Sequence, residues 1–224
     1  MRMRPMFLLE SGESSRGVSL RSLFDGGPAA IVRSRPTLGD VAFLTCRGGW
    51  PKAVGQPKEL VLQQAQDYVD AVVESDISRV DGVRRDPERV CMLMRSYARM
   101  TASQGSYETM LRDVAKSGLS FGRASFLEHV VALKGLSVAD DLGAWNPNLR
   151  AKEDIRTSPT RHFVDPSIAT AALGAGPGDL MGDLNTFGLV FESLCVSSQS
   201  ECDVKICVAF ALEASYDSFR MRGG

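Results

Sequence analysis

The sequence carries almost no net charge, and it has no long apolar run. Its 26 Lys and Arg residues against 27 Asp and Glu residues give a net charge of -1, so the molecule offers no strong electrostatic attraction to nucleic acid or anionic membrane. No stretch approaches the roughly 20 apolar residues that cross a bilayer. The start, MRMRPMFLLESGES, is too short in its apolar part for a signal peptide because Glu10 interrupts it. We therefore expect a cytoplasmic protein with no membrane partner.

The cysteines lack the pattern of a disulfide scaffold or a zinc site. An odd number without regular spacing argues against a secreted scaffold, and no histidine lies near Cys202 and Cys207. We expect small buried apolar side chains in a reducing compartment. The five cysteines are Cys46, Cys91, Cys195, Cys202 and Cys207.

Capping residues precede the clearest helical patterns. Thr37, with Asp40 three residues later, predicts a capping box at the start of a short helix that the turn RGGWP ends. Apolar residues recur at helical spacing across 58–80 and predict one long amphipathic helix. Asp86 followed by Pro87 predicts the start of the next helix.

The middle of the chain predicts a winged helix. Ser106 begins the helical pattern YETMLRDVAKS, and RASFLEHVVALKG follows after a turn that contains Gly118. Two short helices joined by such a turn are typical of a helix-turn-helix. We expect LSVADDLGAW at 136–145 and the HFV of HFVDPSIATAALG to be the two wing strands. The second helix has its apolar stripe at Phe126, Leu127, Val130, Val131 and Leu133.

The stretch RTSPTRHFVDPSIATAALG raises the question of whether its acid is catalytic. Asp165 and Pro166 directly precede an apolar run that Gly174 closes. An acid followed by proline is a standard helix start, since proline lacks only an N–H that has no partner there. We therefore interpret Asp165 as a helix cap.

Several longer stretches resemble one prokaryotic family. They are MRMRPMFLLESGES, CRGGWPKAV, DYVDAVVESDISRVDGVRRDPERV, AWNPNLRAKEDIRTSPTRHFVDPSIATAALG and DLNTFGLVFESL. In this order they are similar to bacterial and archaeal AAA-type ATPases with a C-terminal domain of unknown function. The resemblance covers roughly residues 1–195. It implies a P-loop ATPase module, then a helical and winged-helix region, then a restriction-endonuclease-like α/β domain.

The resemblance implies that this chain begins after the ATPase module. Residues 1–57 would be the connector that follows that module, 58–182 the helical and winged-helix domain, and 183–224 a truncated nuclease-like tail. The phosphate-binding pattern G-x-x-x-x-G-K-[ST] is missing, since none of DGGPAA, RGGWPK and GAGPGD matches it. We expect no ATP hydrolysis by this chain alone and no cofactor, because ATP and magnesium would need the ATPase module.

The nuclease-like tail keeps only part of the metal site that the resemblance implies. Glu192 matches the opening helix of that domain, and Asp203 matches the strand that bears an aspartate. The Glu-x-Lys pair does not follow, so the lysine that would stabilise charge is missing. We interpret Glu192 and Asp203 as a vestigial metal site, and the tail as an incomplete α/β region.

Two binding hypotheses remain for the winged helix. Its second helix carries Arg123 and Lys134, which is a sparse set of cations for duplex DNA, so packing against another protein is the rival hypothesis. The arginines at 84–99 could pair with Asp81, Asp86 and Glu88 or could contact phosphate. The residues that we expect near the wing for any anion contact are Arg150, Lys152, Arg156, Arg161 and His162.

We conclude from the sequence that this is a mainly α protein with a small β part. It combines a helical bundle with a winged helix-turn-helix. Its expected function is a non-catalytic module that binds protein or duplex DNA, with an ATPase subunit as a possible partner and oligomers possible. The alternative is a degenerate nuclease remnant or a gene fragment without independent function. Apolar residues before position 36, such as Phe7 and Leu8, would be exposed for association.

Overall fold

The fold is built almost entirely from helices. The computed structural model describes residues 4–14, 25–26, 36–143 and 158–198. Its α-helices are α1 (Leu38–Arg47), α2 (Lys58–Ala71), α3 (Ile77–Arg79), α4 (Pro87–Arg99), α5 (Tyr107–Lys116), α6 (Arg123–Gly135), α7 (Pro166–Leu173), α8 (Pro177–Gly182) and α9 (Leu184–Ser198). A 3₁₀ turn covers Pro51–Ala53 and a π-helical turn covers Val72–Asp76. The mainly α class is confirmed. Within the described ranges, no helix is both long enough and apolar enough to cross a membrane.

The helix starts follow the capping residues of the sequence. At α1, the Asp40 N–H donates to Thr37 Oγ1 at 3.2 Å, and the Thr37 N–H donates to Asp40 Oδ2 at 2.9 Å. Asp86 caps α4 and Ser106 caps α5, each accepting a backbone N–H of the first turn. These side chains satisfy backbone donors that have no partner inside the helix. The predicted starts of all three helices are confirmed.

The single helix predicted for 58–80 is interrupted. The π-helical turn separates α2 from α3. A π turn carries one extra residue per turn and therefore rotates the side chains that follow it. Val72, the first residue of the turn, and Ile77, which directly follows it, are both buried. The apolar spacing in the sequence agrees with their burial but does not reveal the extra residue per turn.

Helix α7 lies at the centre of the molecule. It packs against α1, α2, α4 and α9, and its Ile168 and Ala169 are buried. Asp165 caps it, since Oδ1 accepts the Ser167 N–H at 2.8 Å. Gly174 ends it in the left-handed conformation, with a φ of 70°. The interpretation of Asp165 as a cap is confirmed.

Among the described residues, two apolar clusters form the core. The larger one joins α4, α5, α6 and α7, and the smaller one joins α1, α8 and α9. Large buried side chains of the first are Ile77, Leu93, Met94, Tyr97, Met110 and Phe126. The second consists of Ala42, Cys46, Leu180 and Phe187. The prediction that Val131 belongs to the buried stripe of α6 is wrong, because this side chain is 69% exposed.

The expected wing strands are present only as isolated bridges. Ala139 pairs with Phe163 and Leu142 with Thr160, both antiparallel, while Thr101 pairs with Arg161 in parallel. The predicted extended segments are therefore paired, but in the described ranges they form no ladder of regular strands. The winged helix stays a prediction.

The remaining predictions about domains lie beyond these observations. The part of the nuclease-like tail after residue 198 lies outside the described part of the chain. The same holds for Leu20, Leu23 and Phe24, which are further apolar residues of the proposed connector expected to be exposed for association. The proposed boundaries at 57–58 and 182–183 stay predictions. Helix α9, which follows the second of these boundaries, packs against α1, α7 and α8.

Candidate functional site

An open apolar groove lies between α1 and α9. It has a volume of about 270 Å³. We call it the α1–α9 groove. Its lining residues are Leu38, Val41, Leu184, Phe187, Gly188 and Phe191. None of these residues carries a polar side chain, so the groove has the character of a site for an apolar segment and not of a catalytic pocket with convergent polar groups.

The spacing of the lining residues explains the shape of the groove. On α9, Leu184, Phe187 and Phe191 recur at the spacing of one helix face. Phe187 is only 4% exposed and forms the floor, whereas Leu184 is 61% and Phe191 40% exposed and form the rim. Gly188 leaves the groove open, since a Cβ at this position would meet no atom within 4 Å. Leu38, at the first position of α1, is 53% exposed on the opposite rim.

Buried polar contacts fix α9 against the core. His162 and Ser193 are both buried, and His162 Nδ1 lies 2.8 Å from Ser193 Oγ. Burial lowers the pKa of His162 to about 4, although the nearby carboxylates of Asp141 and Asp140 act in the opposite direction. The ring is therefore neutral at neutral pH. Within the described ranges, the buried Nε2 atom has no hydrogen-bond partner.

A second group of polar residues forms a buried charge network around Asp141. Its carboxylate contacts Lys134 Nζ at 2.7 Å and Arg161 Nη1 at 2.6 Å, and it accepts a hydrogen bond from the hydroxyl of Tyr97. Arg161 also donates from Nε to the carbonyl of Gly105 at 2.9 Å. The side chains of Asp141 and Arg161 are 6% and 3% exposed. We call these residues the Asp141 network.

The electrostatics of the Asp141 network favour its charged form. Burial alone would raise the pKa of Asp141, but hydrogen bonds from Lys134 and Tyr97 and the charge of Arg161 hold that pKa below its usual value. Burial and the neighbouring carboxylate raise the pKa of Tyr97, so its hydroxyl stays a donor. A buried carboxylate with three such partners has its hydrogen-bonding capacity largely used. The network therefore stabilises the structure, and of its members only Lys134, whose side chain is 38% exposed, reaches the surface.

The predicted nucleic-acid residues are scattered between the surface and this network. Arg161 and His162 are buried, so duplex DNA cannot reach their side chains in this structure. Lys134 pairs with Asp141, and Arg123 Nη1 lies 3.0 Å from Glu108 Oε1. The Arg123 side chain is 74% exposed. Arg150, Lys152 and Arg156 lie outside the described residues. The nucleic-acid site stays a prediction, and among the described residues only Arg123 and Lys134 are left to carry it on the surface.

The arginine cluster after α3 pairs with neighbouring acids. Arg85 Nη2 lies 2.5 Å from Asp81 Oδ2, and Arg85 Nη1 also donates to the carbonyl of Ile77 at 2.9 Å. The hydrogen bond from Arg85 lowers the pKa of Asp81. Arg89 lies 3.7 Å from Asp86. Of the two interpretations of this cluster, the arrangement favours intramolecular pairing at Arg85, because its side chain is 3% exposed.

The RGGWP turn closes onto the cap of α7. The Gly49 N–H donates to Asp165 Oδ2 at 2.7 Å, and Trp50 Nε1 donates to Ser167 Oγ at 2.9 Å. A Cβ at Gly48 would lie 2.2 Å from Asp165 Oδ1, and the residue has a φ of 70°. Burial raises the pKa of Asp165, while the hydrogen bonds from Ser167 and Gly49 act against it. The glycines therefore allow the RGGWP turn to lie close against the start of α7.

The proposed metal residues are not brought together in the described structure. Glu192 is half-buried on α9, and burial raises its pKa. Asp203 lies outside the described residues. Among the described residues, no group of three or more His, Cys, Asp or Glu side chains is placed to hold a metal ion.

Comparison with known proteins defines a family but no activity. Residues 38–179 match the model of a domain of unknown function, DUF8612, and the chain belongs to that family. The match begins at the first residue of the groove and ends shortly before α9. No curated protein and no solved structure is significantly similar to the chain. The comparisons do not support the resemblance to AAA-type ATPases, which stays a hypothesis.

Sequence reasoning missed both the groove and the charge network. The i, i+3, i+7 spacing of Leu184, Phe187 and Phe191 was available as an indication of an apolar helix face. It does not say which residues of that face stay exposed. Asp141 and Arg161 lie 20 positions apart, and no local pattern connects them.

Proposed function

We propose that the chain is a non-catalytic protein-binding module that works as an accessory to an AAA-type ATP-binding protein. In this proposal the α1–α9 groove receives an apolar segment of the partner, while α5, α6 and the bridged segments form a winged-helix scaffold elsewhere on the module. The observation that carries the proposal is the groove itself, in which Leu38, Leu184 and Phe191 are 53%, 61% and 40% exposed.

The exposed apolar residues of the groove adjoin one another, and this contiguity is what indicates an interaction surface. Single exposed apolar side chains are normal on a soluble protein, but a contiguous patch marks an interaction surface. A helix that lies in an apolar groove is a common form of such recognition. The groove supplies this surface, and its two rims come from helices that are separately fixed to α7.

The charge distribution disfavours duplex DNA as the partner. DNA affinity depends mainly on lysine and arginine side chains that neutralise phosphates. On α6, both Arg123 and Lys134 already pair with carboxylates, and Glu128 and Val131 are exposed on the same helix. A phosphate would have to compete with these ion pairs, so the module is better suited to a protein.

The test compares a groove variant with a matched control. Tagged full-length chains carrying no change, Phe191→Asp or Val131→Asp are expressed in the source cells and recovered with their partners. Both substitutions put a charge at an exposed apolar position, but Val131 lies on α6 and not on a groove helix. We expect an ATP-binding protein to remain with the wild type and Val131→Asp and to be lost from Phe191→Asp.

A titration with duplex DNA distinguishes the competing class. Binding at low salt that weakens steeply with added salt would show phosphate contacts. Such binding, together with equal protein recovery by the wild type and Phe191→Asp, would overturn the proposal. We expect no salt-dependent binding by the wild-type chain.

A further inference from the structure

The groove poses the question of what covers it in the isolated chain. Three rim side chains, Leu38, Leu184 and Phe191, are exposed in the described structure. Exposed patches of this kind favour association. An occupant has to be apolar, because the groove is lined without polar side chains, and it has to reach α9.

The chain itself contains a segment of suitable chemistry just beyond α9. Residues 206–212 read ICVAFAL and are apolar throughout. Lys205 and Glu213 flank this run, so both ends of a bound segment could keep their charges in water. Ile206, Val208, Phe210 and Leu212 alternate with the small residues Cys207, Ala209 and Ala211. Large side chains at alternate positions would fall on one face of an extended segment.

The length of the connection allows this segment to reach the groove. Phe191 lies 7 positions before Ser198 at the end of α9, which is a distance of about 10 Å along a helix. Residues 199–205 connect α9 to the apolar run and span at most about 23 Å when extended. The run can therefore turn back beside α9 and lie along Leu184, Phe187 and Phe191 without strain in the connection.

We propose that residues 206–212 bind in the α1–α9 groove of their own chain and thereby cover it until a partner displaces them. This inference rests on the proposed function, since it takes the groove to be a receptor for apolar segments. A tethered segment needs little intrinsic affinity, because its effective concentration at the groove is on the order of millimolar. A partner that binds more tightly would displace it, so the tail would set the threshold for binding.

Disulfide trapping in the full-length chain tests the inference. The variant Leu184→Cys is made together with Cys91→Ser and Cys202→Ser, which leaves Cys207 as the tail thiol. Under diamide, which takes up the two protons and two electrons, we expect an intramolecular disulfide between Cys207 and the thiol that Leu184→Cys introduces. At a protein concentration of about 10 μM, this product should exceed the intermolecular one by roughly 100-fold.

The control places the thiol elsewhere on the same protein. Val131→Cys in the same background is also exposed but lies on α6, and we expect no disulfide with Cys207. Equal yields at the two positions, or no intramolecular product from Leu184→Cys, would overturn the inference. A product that joins two chains through the same residues would also overturn it and would assign the groove to a second copy.

A second measurement does not depend on introduced cysteines. We expect Phe210→Asp in the otherwise unchanged chain to release the tail and raise the fluorescence of an apolar dye that binds the exposed groove, whereas Ser215→Asp should leave it unchanged. If dye fluorescence stays unchanged or falls with Phe210→Asp, the tail does not cover the groove, and the inference fails. The inference fails alone if trapping gives no intramolecular product while Phe191→Asp still loses the partner. The proposed function fails alone if trapping succeeds but Phe191→Asp retains the partner.

Discussion

The α4–α6 side of the molecule buries charged side chains, whereas its α1–α9 side exposes apolar side chains. Around Asp141, charged groups are withdrawn from solvent and satisfied by partners inside the chain. Along the α1–α9 groove, apolar groups remain in contact with solvent. Both arrangements are unfavourable for an isolated side chain, since charges are costly to bury and apolar surface is costly to expose. The buried charges around Asp141 are compensated by partners within the described structure. The exposed apolar side chains of the groove could be covered by a bound segment.

This difference indicates which region is structural and which is open to binding. Removing a member of the Asp141 network should leave a buried charge without compensation. Removing a rim residue of the groove should change little in the isolated chain. Stability measurements on the two sides therefore separate the two roles before any partner is known.

The largest effect is expected from Asp141→Ala. This change leaves Arg161 buried without its carboxylate, and breaking a buried pair in this way typically costs about 3–5 kcal/mol. The control is Asp113→Ala, which removes the partner of the half-exposed Arg99 and should cost under about 1 kcal/mol. Urea unfolding measures both changes. Equal losses would mean that the Asp141 network contributes no more than a surface ion pair.

The groove itself offers the next comparison, between its floor and its rim. Phe187→Ala removes a side chain from the cluster of Ala42, Cys46 and Leu180, and we expect a loss of about 3 kcal/mol. Phe191→Ala removes a side chain that is 40% exposed and should cost under about 1 kcal/mol. Urea titrations give the free energy of unfolding of each variant and so compare the two losses. A large loss from Phe191→Ala would indicate that the rim belongs to the core.

The RGGWP turn against the cap of α7 should be sensitive to a single methyl group. Gly48→Ala and Gly55→Ala both place alanine at a positive φ, 70° and 77°. At Gly48 the ψ of -173° adds strain, because this combination of angles is essentially open to glycine alone. Only at Gly48 would the new Cβ meet Asp165 and Ser167. We expect Gly48→Ala to cost about 2 kcal/mol more than Gly55→Ala, measured by thermal or urea unfolding. Equal costs would contradict the close approach.

The smallest expected effect is a pH dependence from His162. Its pKa of about 4 in the folded chain lies below the value of about 6.5 in the unfolded chain, so the unfolded state binds more protons between these values. Its contribution to stability is therefore fully present above about pH 6.5 and is lost as the pH falls toward 4. Between pH 7 and pH 5, we expect the wild type to lose about 2 kcal/mol more than His162→Gln.

The comparison with His162→Gln isolates this histidine from other titrating groups. Burial raises the pKa of Asp165 and of Glu192, and both are present in the two proteins. His129, whose pKa is also lowered mainly by burial, is present in both as well. Urea unfolding at the two pH values gives the difference directly. Equal pH dependence of the two proteins would show that His162 is not held neutral by the fold.

Local chemistry made much of the helical framework predictable. Thr37, Asp86, Ser106 and Asp165 mark helix starts because each can satisfy backbone donors close in sequence. The π turn at Val72–Asp76 was not predictable, since a regular period continues through it. Gly49 and Asp165 lie 116 positions apart, so their hydrogen bond depends on how α1 and α7 pack. Exposure of Val131 likewise depends on tertiary packing and not on its place in a local pattern.

The most direct test of the account places a photoreactive crosslinker at Leu184 or at Arg123 of the full-length chain in the source cells. We expect adducts from Leu184, either with residues 206–212 of the same chain or with a protein partner, and none with nucleic acid from Arg123. Nucleic-acid adducts from Arg123 combined with no adduct from Leu184 would contradict it. In that case the surface of α6 and not the α1–α9 groove would be the binding site.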